Sequence, residues 1–265
     1  MERVIVCMKP VPDPKEWGRL AMDPETKTLI REGIPSIINP LDKHALEAAL
    51  QLKEGTGVEV VVVSMAPPFN ASLLKEALAM GADRGVLISD RTFAGSDTLA
   101  TVRILSAAIR RLGPFDLVLC GNSTLDGCTA QVPSQLAEML GIPNVMHVCQ
   151  MEVEDGGRMV LSQRIEMGTL VLEAEPPLLL SFTKEANDPR LISFLGILEA
   201  EKKELSVWSR EELGVDASTV GLAGSPTKMA GLLLRKKERR GERVEGDPKE
   251  VARRIADRMY QMGIL

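Results

Sequence analysis

The chain has 265 residues, 45% of them hydrophobic and 26% charged, with a formal net charge of −5. That length holds one large domain, or a core with appendages, and buries enough surface to need neither disulfide nor metal. The acidic balance and an aromatic content of 3% exclude the basic groove and stacking surface of a nucleic-acid binder, and no apolar run is long enough for a transmembrane segment.

The start, Met1-Glu2-Arg3-Val4-Ile5-Val6, carries no signal-peptide pattern, so the expected location is the cytoplasm. Val4 to Met8 predicts a buried strand stopped by Lys9-Pro10. Pro12-Asp13-Pro14 then opens a polar excursion to Ile38, with a small hairpin around Met22 to Ile30. Asn39-Pro40-Leu41-Asp42 starts a helix whose Ala45, Leu46, Ala49 and Leu50 repeat at helical spacing. Val58 to Val63 is the next strand and Ala71 to Met80 the next helix, stopped by Gly81. The alternation continues with a strand at Val86 to Ile88, a helix at Thr98 to Leu112, a strand at Leu117 to Cys120 and a helix at Thr129 to Leu140, closed by Gly141. Short buried strands alternating with helices predict an α/β fold, a parallel sheet covered on both faces. Right-handed crossovers gather the loops that follow the strands on one carboxyl edge, where ligands bind in such sheets.

Beyond Pro143 the texture becomes that of a β-meander, with strands at Val148 to Val153, Met159 to Ile165, Leu170 to Leu172 and Leu178 to Ser181 and turns such as Asp155-Gly156-Gly157. The chain turns at Asn187-Asp188-Pro189-Arg190, and Leu191 to Lys203 predicts a short apolar helix. Gly214 to Leu265 reads largely as an extended arm ending in a helix from Pro248 to Met262. An arm without a core of its own is expected to lie on a partner subunit.

Three loops are expected to meet on the carboxyl edge: Cys7 to Pro10, Ser89 to Thr98, and Gly121 to Ala130. The two longer ones carry Gly, Ser, Thr and Asp before a helix, residues that let backbone N–H groups and hydroxyls approach a phosphate at the positive helix end. Side by side they would form a pyrophosphate cradle, although the same residues also serve as ordinary helix caps. Neither loop has the glycine fingerprint of a dinucleotide fold or a P-loop. Cys7, Cys120, Cys128 and Cys149 show no Cys-x-x-Cys spacing, so neither a zinc site nor a redox pair is read from them. His44 and Glu47, one turn apart, read as a surface pair, and His147 as a satisfied core or edge residue. The run Arg235 to Arg240 reads as a solvated part of the arm. With no acid, base or nucleophile set out for catalysis, any chemistry falls to a cofactor.

At these loops the sequence resembles the β subunit of electron transfer flavoproteins, and the resemblance covers nearly the whole chain. In order it is carried by Val6-Cys7-Met8-Lys9-Pro10-Val11-Pro12-Asp13, Ile38-Asn39-Pro40-Leu41-Asp42, Ala77-Leu78-Ala79-Met80-Gly81-Ala82-Asp83, Asp126-Gly127-Cys128-Thr129-Ala130-Gln131-Val132, Asn187-Asp188-Pro189-Arg190 and Gly224-Ser225-Pro226-Thr227-Lys228. It implies an αβα sandwich of the adenine nucleotide alpha hydrolase-like type, paired with an α subunit that holds the electron-transferring FAD. The implied organisation is a nucleotide-binding domain with a β extension over 1–186, a partner recognition loop and connector over 187–213, and a C-terminal arm over 214–265 that wraps the α subunit.

The site implied by the resemblance holds either AMP or a second FAD against Cys7, Met8, Asn39, Pro40, Leu41, Asp42 and Met65. The loop Gly121, Asn122, Ser123, Thr124, Leu125, Asp126, Gly127, Cys128, Thr129, Ala130, Gln131 and Val132 completes it. Ser89 to Thr101 and Thr28 to Pro40 resemble the electron-bifurcating branch, in which the β-side FAD takes hydride from NADH and splits its electrons between the α-side FAD and ferredoxin or flavodoxin. AMP has one phosphate, which the Gly121 loop can hold; a dinucleotide needs a second anion cradle, which Ala94, Gly95, Ser96, Asp97 and Thr98 can supply with Asp97 as helix cap. Cys128 stands where the family commonly has an acid, and Pro133-Ser134 replaces Gly-Pro. Ala66 replaces Gly, and Glu166-Met167-Gly168 replaces an acidic pair before Gly. The recognition loop would dock an acyl-CoA dehydrogenase through Phe194, with Leu195 and Leu198 beside it, unless that helix simply buries its apolar face. The alternatives are a non-bifurcating carrier with structural AMP and, more remotely, an adenylating enzyme or nucleotide sensor of the same fold. An adenylating enzyme would need a Ser-Gly-Gly-x-Asp-Ser loop where this chain has Lys9-Pro10-Val11-Pro12.

Overall fold

The computed structural model describes residues 1–19, 21–22, 29–30, 33–154, 156–228 and 241–264. The Arg235 to Arg240 run, the tip of the Met22 to Ile30 hairpin, and Thr28, Arg31, Glu32 and Asp155 lie outside the described residues.

In chain order the first half contains β1 (Arg3–Cys7), β2 (Pro10–Pro12), β3 (Ala21–Met22), β4 (Leu29–Ile30), β5 (Ser36–Ile38), α1 (Pro40–Thr56), β6 (Glu59–Met65), α2 (Ala71–Met80), β7 (Arg84–Ile88), α3 (Thr98–Leu112), β8 (Leu117–Gly121) and α4 (Val132–Leu140). β9 (Asn144–Val153), β10 (Met159–Ile165), β11 (Gly168–Ala174), β12 (Leu178–Phe182), α5 (Phe194–Ala200), β13 (Leu205–Trp208), α6 (Arg210–Leu213) and α7 (Pro248–Gln261) follow. The described residues include a nine-stranded sheet in the order β11-β10-β9-β12-β8-β1-β6-β7-β13. From β13 to β9 neighbouring strands run parallel, and β10 and β11 continue the sheet antiparallel. β2 pairs β5, and β3 pairs β4, in separate two-stranded ribbons.

Strand side chains alternate between two cores, as the period of two requires. Val4, Val6, Val60, Val62, Leu117 and Leu119 pack with α1 and α2 on one face; Ile5, Val61, Val63, Val86, Val118 and Cys120 pack with α3 and α4 on the other. Asn39, Pro40 and the buried run Ala45, Leu46, Ala49 and Leu50 start and seat α1.

Three readings are corrected by the tertiary structure. The helix expected from Thr129 begins at Val132, because Cys128 and Ala130 take left-handed backbone (φ 49° and 53°) that no α-helix continues. Leu178 to Phe182 is not the fourth strand of a meander: it returns between β8 and β9 and runs parallel to both, adding a core strand whose five residues are all buried. The apolar helix is shorter than read, since Ser193 caps it by accepting from Gly196 N–H, so Leu191 and Ile192 precede it.

β13, whose four residues carry no clear strand signal in the sequence, completes the sheet edge against β7. The chain divides into one compact unit over Met1–Ala230 and another over Gly231–Leu265. The second, taken by itself, contains α7, started by Asp247, which accepts from Lys249 N–H.

Candidate functional site

At the carboxyl edge, the ends of β1 and β8 meet the start of α1 around one buried carboxylate. Asp42, 5% exposed, accepts at Oδ2 from Lys9 N–H (2.7 Å) and at Oδ1 from Gly121 N–H (3.1 Å) and Asn39 Nδ2 (3.0 Å). Burial pushes its carboxyl up to about 7, against the pull of these hydrogen bonds and of Lys9. A Cβ on Gly121 would lie 2.4 Å from Asp42 Oδ1 and 2.7 Å from the Leu41 carbonyl carbon, so only glycine lets β8 end this close to α1. Asn39 does not cap its own helix with its side chain. Its amide donates to Ser123 O (2.9 Å) and accepts from Leu125 N–H (3.3 Å), tying α1 to the loop after β8.

That loop is the open wall of the edge. Lys9 Nζ reaches Asp126 Oδ1 at 2.7 Å and closes it towards the loop after β1. Gly127, Cys128, Thr129 and Gln131 are exposed, and α4 begins with no side-chain cap on its N–H groups. The Gly127 and Cys128 N–H groups turn inward to Thr124, and the left-handed backbone at Cys128 and Ala130 leads to the uncapped amino end of α4, whose first N–H groups are the donors suited to an anion. Cys7 and Cys120 lie buried beneath, and hydrogen bonding to Cys7 followed by burial pushes the Cys120 thiol up, so it stays protonated. Met8 is buried and Met65 half-buried at the strand ends. On the side of β12 and β9 an open cleft of about 330 Å³ is lined by Leu41, Asn122, Ser123, His147, Arg164 and Lys184. His147 Nδ1 lies 3.1 Å from Asn122 Nδ2 in that lining.

The loop after β7 is committed differently. Asp97 caps α3, accepting from Ala100 N–H at 2.9 Å. Its other oxygen accepts from Thr227 N–H (2.9 Å), its own N–H donates to Ser225 Oγ (2.8 Å), and Ser96 Oγ accepts from Gly221 N–H (3.0 Å). Ala94 O accepts from Leu222 N–H, and Gly95 O from Ser225 Oγ. Residues 219–227 thus fold back over Ala94 to Asp97. Thr98 instead faces the first loop, donating from Oγ1 to Gln131 Oε1 at 3.0 Å, which sets the amino ends of α3 and α4 side by side.

His44 and Glu47 are not a solvated surface pair. Glu47 is buried and grips the Arg190 guanidinium (2.8 and 2.9 Å), with Glu54 on its far side (2.6 Å); His44 Nδ1 sits 3.1 Å from Asn187 Oδ1. Burial alone would raise the Glu47 carboxyl, but the hydrogen bonds and charge of Arg190 hold it below its ordinary value. This latch fixes the segment that leads into α5. There Gly196 and Ala200 form the seat: a Cβ on Gly196 would meet Ala79 O at 2.2 Å, and Ala200 is buried. The small residues face inward, so the large ones face out, with Phe194 at 74%, Leu195 at 69% and Leu198 at 50% exposure.

Comparison with known proteins places the molecule. The family model for the electron transfer flavoprotein domain matches residues 26–213. The chain belongs to the electron transfer flavoprotein family. It is 45% identical to an electron transfer flavoprotein subunit beta of Thermoanaerobacterium thermosaccharolyticum, covering 99% of both chains. It is 42% identical to the caffeyl-CoA reductase-Etf complex subunit CarD of Acetobacterium woodii over 99% of this chain and 100% of that one. The acryloyl-CoA reductase electron transfer subunit gamma of Anaerotignum propionicum is 40% identical, over 99% of this chain and 100% of its own. Within this family the mostly parallel sheet with helices on both faces is the expected α/β sandwich. No helix among the described residues is long and apolar enough to cross a membrane.

The sequence alone places Lys9 on this electron transfer flavoprotein edge but gives no sign of its ion pair with Asp126, of Ser225 and Thr227 as partners of Asp97, or of Arg190 as the partner of Glu47. Gly224-Ser225-Pro226-Thr227 was visible as a motif, but a glycine-rich stretch far along the chain gives no local sign of which loop it covers.

Proposed function

We propose that this chain is the β subunit of a cytoplasmic heterodimeric, electron-bifurcating electron transfer flavoprotein, and that its carboxyl edge binds a second FAD. The observation that carries the reading is the pair of adjacent helix amino ends: α4 is uncapped behind Cys128 and Ala130, and Thr98 of α3 meets Gln131 beside it. The first N–H groups of a helix have no intrahelical acceptor; Asp97 takes that of Ala100 in α3 while α4 has no side-chain cap, so an anionic group finds its donors chiefly at α4, with the remaining N–H groups of α3 beside it. Gly121 to Val132 would hold one phosphate and the backbone at Thr98 the other, with Cys7, Met8, Met65 and the backbone of the Asn39 to Asp42 turn against the nucleoside. When bound, the flavin supplies hydride acceptance from NADH and one-electron release towards the α-subunit FAD and towards ferredoxin or flavodoxin. The chain's own part is to bind, orient and shield. Relatives named as parts of caffeyl-CoA and acryloyl-CoA reductase complexes support an acyl-CoA dehydrogenase as the partner on the high-potential branch.

One observation favours a second reading. Ser96 and Asp97 are tied to residues 219–227, and the hydroxyl protons of Ser96 and Thr98 go to Phe93 O and Gln131 Oε1, so the second cradle has its side-chain donors already engaged, which suits a single-phosphate ligand, AMP, in a non-bifurcating carrier. The nucleotide content of the purified αβ complex separates the two. Two FAD per heterodimer with bleaching of the flavin absorbance by NADH supports bifurcation; one FAD plus one AMP with no bleaching overturns it. Phe194, Leu195 and Leu198 are assigned to dehydrogenase docking, the exposed side of a helix seated on small residues. Phe194→Ala should slow transfer to the dehydrogenase about tenfold with flavin content unchanged, a loss typical of one buried aromatic anchor; unchanged transfer would remove that role.

A further inference from the structure

Taking the nucleotide reading of the edge as its basis, we infer that Asp42 is a positioning residue: its ionised carboxylate, without touching the nucleotide, clamps three chain segments into the shape that receives it. Both oxygens are already committed, Oδ2 to Lys9 N–H behind β1, Oδ1 to Gly121 N–H at the end of β8 and to Asn39 Nδ2 before α1. At 5% exposure the group lies beneath the wall of the site rather than on it. The clamp reaches the phosphate-side loop through Asn39, which contacts Ser123 O and Leu125 N–H, and through Lys9, whose ammonium holds Asp126.

All three partners are donors, and a carboxylate is acceptor-only, so the ionised form satisfies them together. The three donors fill three of its four lone-pair sites, so a proton on the free site of Oδ2 removes the charge that strengthens all three bonds and weakens the clamp as a whole. No slack absorbs that change, because Gly121 already stands where a Cβ would meet Oδ1 at 2.4 Å. The ionisable groups facing Asp42 are Lys9, paired with Asp126, and the thiol of Cys120, which is itself hydrogen-bonded with Cys7; further along α1, His44 and Glu47 are engaged by Asn187 and Arg190. Burial holds the Asp42 carboxyl near neutrality, up to about 7, so the clamp opens within a physiological pH range.

The test measures FAD and AMP binding to the αβ complex by calorimetric titration from pH 5.5 to 8.5, for wild type and Asp42→Asn, with amide hydrogen exchange at Lys9 and Gly121. Whichever nucleotide the wild type takes should bind about tenfold more weakly at pH 6 than at pH 8, the size expected for one charge-assisted hydrogen bond. Asp42→Asn should bind about tenfold more weakly at pH 8, lose the pH dependence and exchange the Lys9 and Gly121 amides faster. Parallel pH profiles for the two proteins, or wild-type affinity in the variant, overturn the assignment. Should the variant not fold, a flat wild-type profile overturns it alone. If the wild type takes neither nucleotide, the nucleotide reading fails, while the amide exchange still decides whether Asp42 holds the edge together.

Discussion

The turn after β7 and the turn after β8 look alike as sequence, each mixing Gly, Ser, Thr and Asp ahead of a helix, but their polar groups end in opposite states. Around Ala94 to Asp97 the donors and acceptors are taken up by residues 219–227 of the same chain, and Asp97 caps α3. Around Gly127 to Gln131 most residues are exposed, the backbone is twice left-handed, its bonded N–H groups at Gly127 and Cys128 stay within the loop on Thr124, and the helix that follows has no side-chain cap. Composition gives a loop its capacity to meet an anion; what the rest of the chain lays over it decides whether that capacity is left available.

The comparison can be broken most severely beneath the open loop. Gly121→Val places a branched side chain against Asp42 and the Leu41 backbone, and should cost about 3 kcal/mol or more, read as a lower urea midpoint with nucleotide lost. On the closed turn, Asp97→Ala removes the α3 cap and the tie to Thr227 and should cost about 1–2 kcal/mol. Nucleotide affinity within twofold of wild type in that variant would confirm that the closed turn is structural; loss of affinity would return it to the ligand site.

The next effect is small at any one pH and is spread over several pH units. The Asp42 carboxyl titrates near 3.8 in the unfolded chain and about 7 in the folded one, so its contribution to stability is whole below 3.8 and is lost as the pH rises through 7. Over that window wild type should lose up to about 1 kcal/mol per pH unit relative to Asp42→Asn, measured as unfolding free energy at several pH values. A parallel pair of curves would mean that the carboxyl is not held as its surroundings indicate. The smallest effect belongs to the exposed rim: Cys128→Ser should change stability by less than about 0.5 kcal/mol, because its side chain faces solvent. A larger loss would show that the left-handed turn needs the sulfur contact to Leu125 O.

Much of the fold was legible because it depends on local pattern. α3 spans Thr98–Leu112 as the spacing predicts, with Asp97 its cap, and the buried strands lie within a few residues of their apolar runs. The misread boundaries have tertiary causes. Nothing local in Thr129 to Gln131 forbids a helix; the left-handed backbone beside it does. Leu178 to Phe182 has the same apolar texture whether it ends a meander or enters a parallel core, and the choice rests on β8 and β9 flanking the gap it fills. His44 and Glu47 sit one turn apart in either setting, and only Arg190, 143 residues away, makes Glu47 a buried anchor.

The sequence by itself determined the alternating α/β fold and which residues lie on the loops at its carboxyl edge. Hydrophobic period, helix caps and glycine stops act over a few residues, so they are written locally. The tertiary structure alone decided which loop stays open, which carboxylate is buried among donors, and which face of α5 points outward. Those outcomes depend on groups far apart in the chain competing for the same hydrogen bonds and the same space, as Lys9, Asp42 and Gly121 do at one end of α1 and Glu47 and Arg190 do further along it.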